Sequence, residues 1–285
     1  MTDGLPPARP RRTRSVRRML LILVGAYALI LALVFLFQRR LIYLPTRLEP
    51  DVALQIAAQH HVLPWRNRTG RIIGWHWPAS AASHGTVLIA HGNAGSAIDR
   101  NYLAEPIRDA ADVDVFVLEY PGYGARDGSP TERSLLAAAD DAFEALIQRT
   151  PVFVVSESLG AGVAAYLAKT HADQIPGLVL FAPYNSLAAV AQQAIRFLPM
   201  ALVLRDRFDP AAWLRDYRGP IAIVLAGSDE VIPPQFGRRL YDGYAGPKKL
   251  EVIPGAHHND IAVQSAAWWK DVFAFWAHDA QRPSS

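Results

Sequence analysis

Apolar and polar positions follow two rhythms along this chain, with one long interruption. From Met19 to Phe37 the run MLLILVGAYALILALVFLF passes without a charge. At ~1.5 Å per helical residue it is about as long as the ~30 Å hydrocarbon layer of a bilayer is thick. Past residue 66, short apolar runs alternate with segments of helical period. The runs predict strands at Arg71–Trp77, Thr86–Ala90, Val113–Leu118, Val152–Val155, Gly177–Phe181, Ile221–Ala226 and Lys249–Ile253. Helices are predicted near 97–110, 131–148, 159–171, 235–244 and 264–277. Thr86-Val87-Leu88-Ile89-Ala90 is apolar throughout rather than alternating, the pattern of a strand covered on both faces. The βαβα rhythm therefore predicts an α/β domain with a mostly parallel central sheet and helices on both faces. Asn67-Arg68-Thr69-Gly70 reads as a turn that opens a hairpin, and residues 41–66 are expected to wrap the domain edge.

The charge changes the reading of the two ends. The 285 residues carry +3, which alone suggests an anionic partner. Residues 1–40, however, hold eight arginines against Asp3, so the remainder is mildly acidic at −4. A nucleic-acid footprint needs a basic stripe on the globular part, and none is present. Six arginines precede the apolar run and two follow it directly. The run is too long for a signal-peptide core, and Phe35-Leu36-Phe37-Gln38-Arg39 offers no small-residue cleavage site. The expectation is an uncleaved single-pass anchor at residues 19–37, with a basic cytoplasmic tail at 1–18 and a domain at 41–285 on the non-cytoplasmic side. With no cysteine, the chain can form neither disulfides nor a thiolate metal site, and it lacks a cysteine nucleophile.

In parallel α/β sheets ligands sit at the carboxyl ends of strands, so the candidate chemistry is sought there. Val152–Val155 is followed by Ser156-Glu157-Ser158-Leu159-Gly160, then Ala161-Gly162. This follows the G-x-S-x-G elbow except that Ser156 replaces the first glycine, and it puts Ser158 at the nucleophile position. Thr86–Ala90 is followed by the glycine-rich His91-Gly92-Asn93-Ala94-Gly95-Ser96. Acyl transfer builds charge on a carbonyl oxygen, and the backbone N–H groups of Asn93 and Leu159 are assigned to receive it. His91 is read as orienting that loop. No phosphate-cradle spacing occurs anywhere in the chain. Ile221–Ala226 leads to Gly227-Ser228-Asp229-Glu230, with Asp229 the first choice for an orienting carboxylate and Glu230 the second. Lys249–Ile253 leads to Pro254-Gly255-Ala256-His257-His258-Asn259-Asp260, and one of the two histidines is the expected base. No H-E-x-x-H or carboxylate–histidine cluster supports a metal site, so neither metal nor organic cofactor is expected. Ser, then Asp, then His is the chain order of the α/β-hydrolase triad.

These residues resemble the membrane-anchored α/β hydrolases related to the Bem46 proteins and, more distantly, the depalmitoylating hydrolases. The resemblance covers about residues 41–277. It rests on Leu41-Ile42-Tyr43-Leu44-Pro45-Thr46, His91-Gly92-Asn93-Ala94-Gly95, Glu119-Tyr120-Pro121-Gly122-Tyr123-Gly124, Gly128-Ser129-Pro130-Thr131-Glu132, Ser158-Leu159-Gly160, Asp229-Glu230-Val231-Ile232-Pro233 and His258-Asn259-Asp260. It implies an α/β-hydrolase fold and, because the base in that group directly precedes Asn-Asp, it favours His258. The apolar segment 184–217 reads either as a short lid over a cleft suited to an acyl chain or as plain core packing. The expected function is hydrolysis of carboxylic esters or thioesters of a small-molecule or lipid-like acyl substrate by Ser158, His258 and Asp229. A serine peptidase and a catalytically silent tethered binding protein are the alternatives.

Overall fold

The computed structural model describes residues 11–148 and 151–280. Part of the basic tail, residues 1–10, and the last five residues lie outside the described residues. A long helix α1 (Arg11–Ile42) leads into β1 (Leu44–Pro45), α2 (Pro50–Gln59) and the hairpin β2 (Leu63–Arg66) and β3 (Ile72–Trp77). Then come β4 (Thr86–Ala90), β5 (Ala94–Gly95), α3 (Asn101–Ala111), β6 (Asp114–Leu118), α4 (Glu132–Ile147), β7 (Val152–Glu157), α5 (Gly160–Thr170) and β8 (Leu178–Phe181). Three short helices follow, α6 (Leu187–Ala194), α7 (Met200–Val203) and α8 (Pro210–Trp213). The chain ends with β9 (Ile221–Ala226), α9 (Gln235–Gly243), β10 (Lys248–Ile253) and α10 (Ala266–Ala280).

Eight strands form one sheet in the order β10-β9-β8-β7-β4-β6-β3-β2, parallel from β10 to β6 and antiparallel at the β6–β3 and β3–β2 pairs. This is the α/β-hydrolase architecture with a mostly parallel sheet. Its central strands, such as β4, β8 and β9, are apolar on both faces because each face carries its own core. Leu88, Val154, Leu180 and Ile223 point into one, and Val87, Val155, Val179 and Val224 into the other. From β4 the chain first moves to β6 on one side and then to β7 on the other, so a crevice opens at the carboxyl ends of β4 and β7.

Three local features differ from the sequence expectations. The α1 helix continues to Ile42, past the apolar run, because Gln38-Arg39-Arg40 are good helix formers, and Gln38 and Arg39 find partners outside the helix. Residues 41–66 contain α2, started by Pro50 at a first-turn position, and β1, which adds a two-stranded parallel ribbon with β5. The predicted helix at 97–110 breaks at Arg100, after a short 3-10 turn capped by the reciprocal Ser96 and Asp99 pair.

Candidate active site

Register places the site. Ala90 pairs with Ser156 across β4 and β7, so the loop after β4 starts beside the turn after β7. Ala226 pairs with Ile253 across β9 and β10, so the loops carrying Asp229 and His258 leave the sheet together. Between β7 and α5 the chain turns at Ser158, whose φ of 47° lies in the left-handed region that costs a side chain energy. The turn is held by the Ser158 N–H on the Phe181 carbonyl at 2.8 Å. Gly160 is required on the helix side, since a Cβ there would lie 2.0 Å from the Ala90 carbonyl oxygen. Ser156, the departure from the elbow pattern, is fully buried with its hydroxyl 3.5 Å from the Val179 carbonyl, and it leaves the turn intact.

Ser158, His258 and Asp229 form one hydrogen-bonded chain. Ser158 Oγ is 3.0 Å from His258 Nε2, and His258 Nδ1 is 2.7 Å from Asp229 Oδ2. The other carboxylate oxygen, Oδ1, accepts the N–H groups of Val231 at 2.9 Å and Ile232 at 2.7 Å. Asp229 thus stays fixed and acceptor-only, holding the Nδ1–H tautomer and leaving the Nε2 lone pair for the serine hydroxyl. The second choices sit outside this chain. His257 is exposed and pairs through Nδ1 with exposed Glu230 at 3.1 Å, which raises the histidine pKa and lowers that of the carboxyl. The His257 N–H meanwhile donates to Asp260 Oδ2 at 2.9 Å and fixes the loop.

Ser158 and His258 open into a cleft of about 360 Å³ lined also by Gly92, Asn93, Phe181 and Ile261. The N–H groups of Asn93 and Leu159 donate to no acceptor among the described residues. Asn93 is held from several sides. Its carbonyl accepts from Leu44 N–H at 2.9 Å and from Tyr123 Oη at 2.8 Å, and its amide donates to the Ile42 carbonyl at 3.0 Å. Tyr120 Oη donates to the His91 carbonyl at 2.9 Å. His91 is buried behind the loop with its Nδ1–H on Gly92 O at 2.8 Å, and burial holds its pKa well below the usual value. Glu119, whose Oε1 is 3.8 Å from His91 Nε2, is pushed up to about 7 by burial.

Sequence reasoning missed one cluster in the cleft. Arg100, Tyr102 and Glu157 line its wall, with Tyr102 Oη donating to Glu157 Oε1 at 2.6 Å and Arg100 Nε 3.1 Å from Glu157 Oε2. Glu157 directly precedes Ser158, which was a usable signal. Arg100 and Tyr102 follow no motif spacing and reach the wall only through the bend into α3. The segment 184–217, read as a lid or as core packing, lines none of this cleft. Among the described residues no group of three His, Asp and Glu side chains converges as a metal ligand set.

Comparison with known proteins places this geometry in context. The family described as serine aminopeptidase, S33, matches residues 81–218. An uncharacterised protein of Mycobacterium tuberculosis is 32% identical over 248 residues, covering 83% of this chain and 87% of that one. A lysophosphatidylserine lipase of Danio rerio is 28% identical, covering 71% of this chain and 59% of its own. Protein bem46 of Schizosaccharomyces pombe is 29% identical, over 65% and 64% respectively. Among solved structures, Est1E of Butyrivibrio proteoclasticus with bound ferulic acid superposes with a TM-score of 0.59. It is 18% identical and covers 72% of this chain and 95% of its own.

Proposed function

The chain belongs to the α/β-hydrolase family, and on that premise we propose that it is a membrane-anchored serine hydrolase that cleaves carboxylic esters or thioesters. The observation that carries the reading is the unbroken chain from Ser158 Oγ through His258 to Asp229, set on a serine with φ of 47°. In this mechanism His258 Nε2 takes the Ser158 proton as Oγ attacks the acyl carbonyl. The resulting oxyanion accepts from the Asn93 and Leu159 N–H groups, and Asp229 stabilises the imidazolium. His258 then returns the proton to the leaving alcohol or thiol. Water, deprotonated by the same base, hydrolyses the acyl-enzyme. No step needs a metal or organic cofactor.

Ester rather than peptide chemistry is supported by the lipase among the relatives and by the partly apolar wall of Phe181, Ala182, Ile261 and Ala262. The proposed organisation is a basic cytoplasmic tail at 1–18, an anchor at 19–37 and a hydrolase domain at 41–285 beyond the membrane. It is supported by the uncharged run Met19–Phe37 within the candidate span Ser15–Ile42 and by the six arginines before that run. Fluorophosphonate labelling tests the reading. The probe should modify the protein, Ser158→Ala should lose the label, and its kcat/KM on p-nitrophenyl esters should fall by about 10⁴ or more. Undiminished labelling of the variant would place the nucleophile elsewhere.

A further inference from the structure

The proposed chemistry leaves one part of the molecule unused. Between β8 and β9, Leu187–Leu204 forms α6, a turn and α7 with Arg196 as its single charge. This segment packs against α1. Leu198, Met200 and Leu204 are buried with Leu31, Val34 and Ile42 against them. Tyr27 Oη donates to the Phe197 carbonyl at 2.9 Å, and Arg39 closes the other end of the seam on Asp206 with bonds of 2.9 and 3.0 Å. From Tyr27 to Arg39 the seam runs ~18 Å along the helix. Whatever medium surrounds that stretch of α1 also surrounds the segment packed on it.

Two properties of the segment fit hydrocarbon rather than water. Phe197 and Leu202 are 68% and 80% exposed, and exposed apolar residues also cover α1. The turn joining α6 to α7 also pairs each of its carbonyls from Ile195 to Leu198 within the protein, as irregular backbone at membrane depth requires. Gln192 Nε2 donates to the carbonyls of Leu198 at 2.9 Å and Arg196 at 3.2 Å, while its Oε1 accepts the Met200 N–H at 3.0 Å. Gln38 serves the far end of α7, donating to the Val203 carbonyl at 3.1 Å and accepting the Arg205 N–H at 2.7 Å. Exposed Arg196 has the length to reach lipid phosphates, and exposed Arg205 and Arg207 lie where the segment returns to the domain.

We propose that Leu187–Leu204 is a second membrane-embedded element, immersed beside α1 in the leaflet that faces the hydrolase domain, with Phe197 and Leu202 among the acyl chains. The proposal rests on the reading of α1 as a membrane anchor and deepens that of the cleft. Two attachments fix the domain's tilt where one helix would let it swing. They hold the cleft near the lipid, because Asn93 on its wall bonds directly to Ile42 at the end of α1 and to Leu44 at the start of β1. The substrate class this favours is an acyl lipid resident in that leaflet.

Since the chain has no cysteine, single cysteines can carry a nitroxide to chosen positions. Full-length Phe197→Cys and Leu202→Cys are compared, in phosphatidylcholine–phosphatidylglycerol vesicles, with Leu23→Cys in α1 and with Asp173→Cys. Asp173 lies past the end of α5, at the end of the sheet away from the cleft. Labels at 197, 202 and 23 should lose broadening by a water-soluble nickel chelate and gain broadening by oxygen, while the label at 173 does the reverse. Nickel access at either insertion position with Leu23 shielded would overturn the proposal and leave the anchor standing. Nickel access at Leu23 as well would overturn the anchor reading and the proposal with it. Circular dichroism checks the fold of each variant, and fluorophosphonate labelling of the same samples reads the Ser158 chemistry separately.

Discussion

Asp229 behind the cleft and Asp206 in the seam along α1 are both buried carboxylates with short hydrogen bonds, yet their partners differ in kind. Asp229 faces an imidazole at 2.7 Å, and that imidazole faces a serine hydroxyl. Asp206 faces the guanidinium fork of Arg39 at 2.9 and 3.0 Å and the Tyr43 hydroxyl at 3.1 Å. Histidine gains and loses a proton near neutral pH, whereas arginine keeps its charge. The first arrangement can relay a proton and the second can only hold two elements together. Burial of an acid is common to both regions, so it is the chemistry of the partner that separates an arrangement able to pass a proton from a strut.

The comparison can be broken most sharply at the histidine. His258→Ala should cost about 10⁴-fold or more in kcat/KM on p-nitrophenyl esters, as expected when a triad base is removed. Asp229→Asn keeps the shape but favours the wrong histidine tautomer, and should cost up to about 10⁴-fold in kcat with the melting temperature little changed. A drop below about tenfold would make Asp229 a strut like Asp206.

A third buried carboxyl sharpens the contrast through pH. Glu119 is raised by burial from 4.5 to about 7, so the folded state holds its proton more tightly than the unfolded chain does. The stabilisation is therefore complete below pH 4.5 and lost as pH rises through 7. Its size is on the order of 3 kcal/mol. Glu119→Gln, which mimics the protonated acid, should flatten this part of the melting temperature against pH. Parallel profiles for the two proteins would mean that Glu119 is ionised throughout.

Asp206→Ala should lower stability by about 2–3 kcal/mol, the lower end for a broken buried pair because Arg39 is partly exposed. Fluorophosphonate labelling of Ser158 should survive in the folded fraction. Loss of labelling in a fully folded variant would tie the seam to the chemistry. The smallest effect belongs to His257→Ala, which removes an exposed pair with Glu230 and should change kcat/KM by less than about twofold. A loss comparable to that of His258→Ala would reverse the roles of the two histidines.

The fold was legible because its signal is local. Wholly apolar runs such as Ile221–Ala226 announce strands covered on both faces, and the strand bounds match the expectation there residue for residue. The candidate site was legible because each of its residues follows such a run. Spacing could not choose between His257 and His258. The loop does so, turning one ring toward Glu230 and the other toward Asp229 and Ser158. Nor could any periodicity reveal Arg100 and Tyr102 on the cleft wall, since they arrive there through a bend at a helix start.

The layered α/β order, the apolar helix at one end and the three strand-end loops that carry Ser158, Asp229 and His258 are written in the order of residues alone. These follow from hydrophobic period and turn chemistry, which act over a few residues. That the insertion turns away from the cleft and packs along α1 is a product of the assembled fold. The contacts responsible, Arg39 with Asp206 and Tyr27 with Phe197, join residues 167 and 170 positions apart. Such pairings depend on where the whole sheet delivers each loop, and no local pattern encodes that.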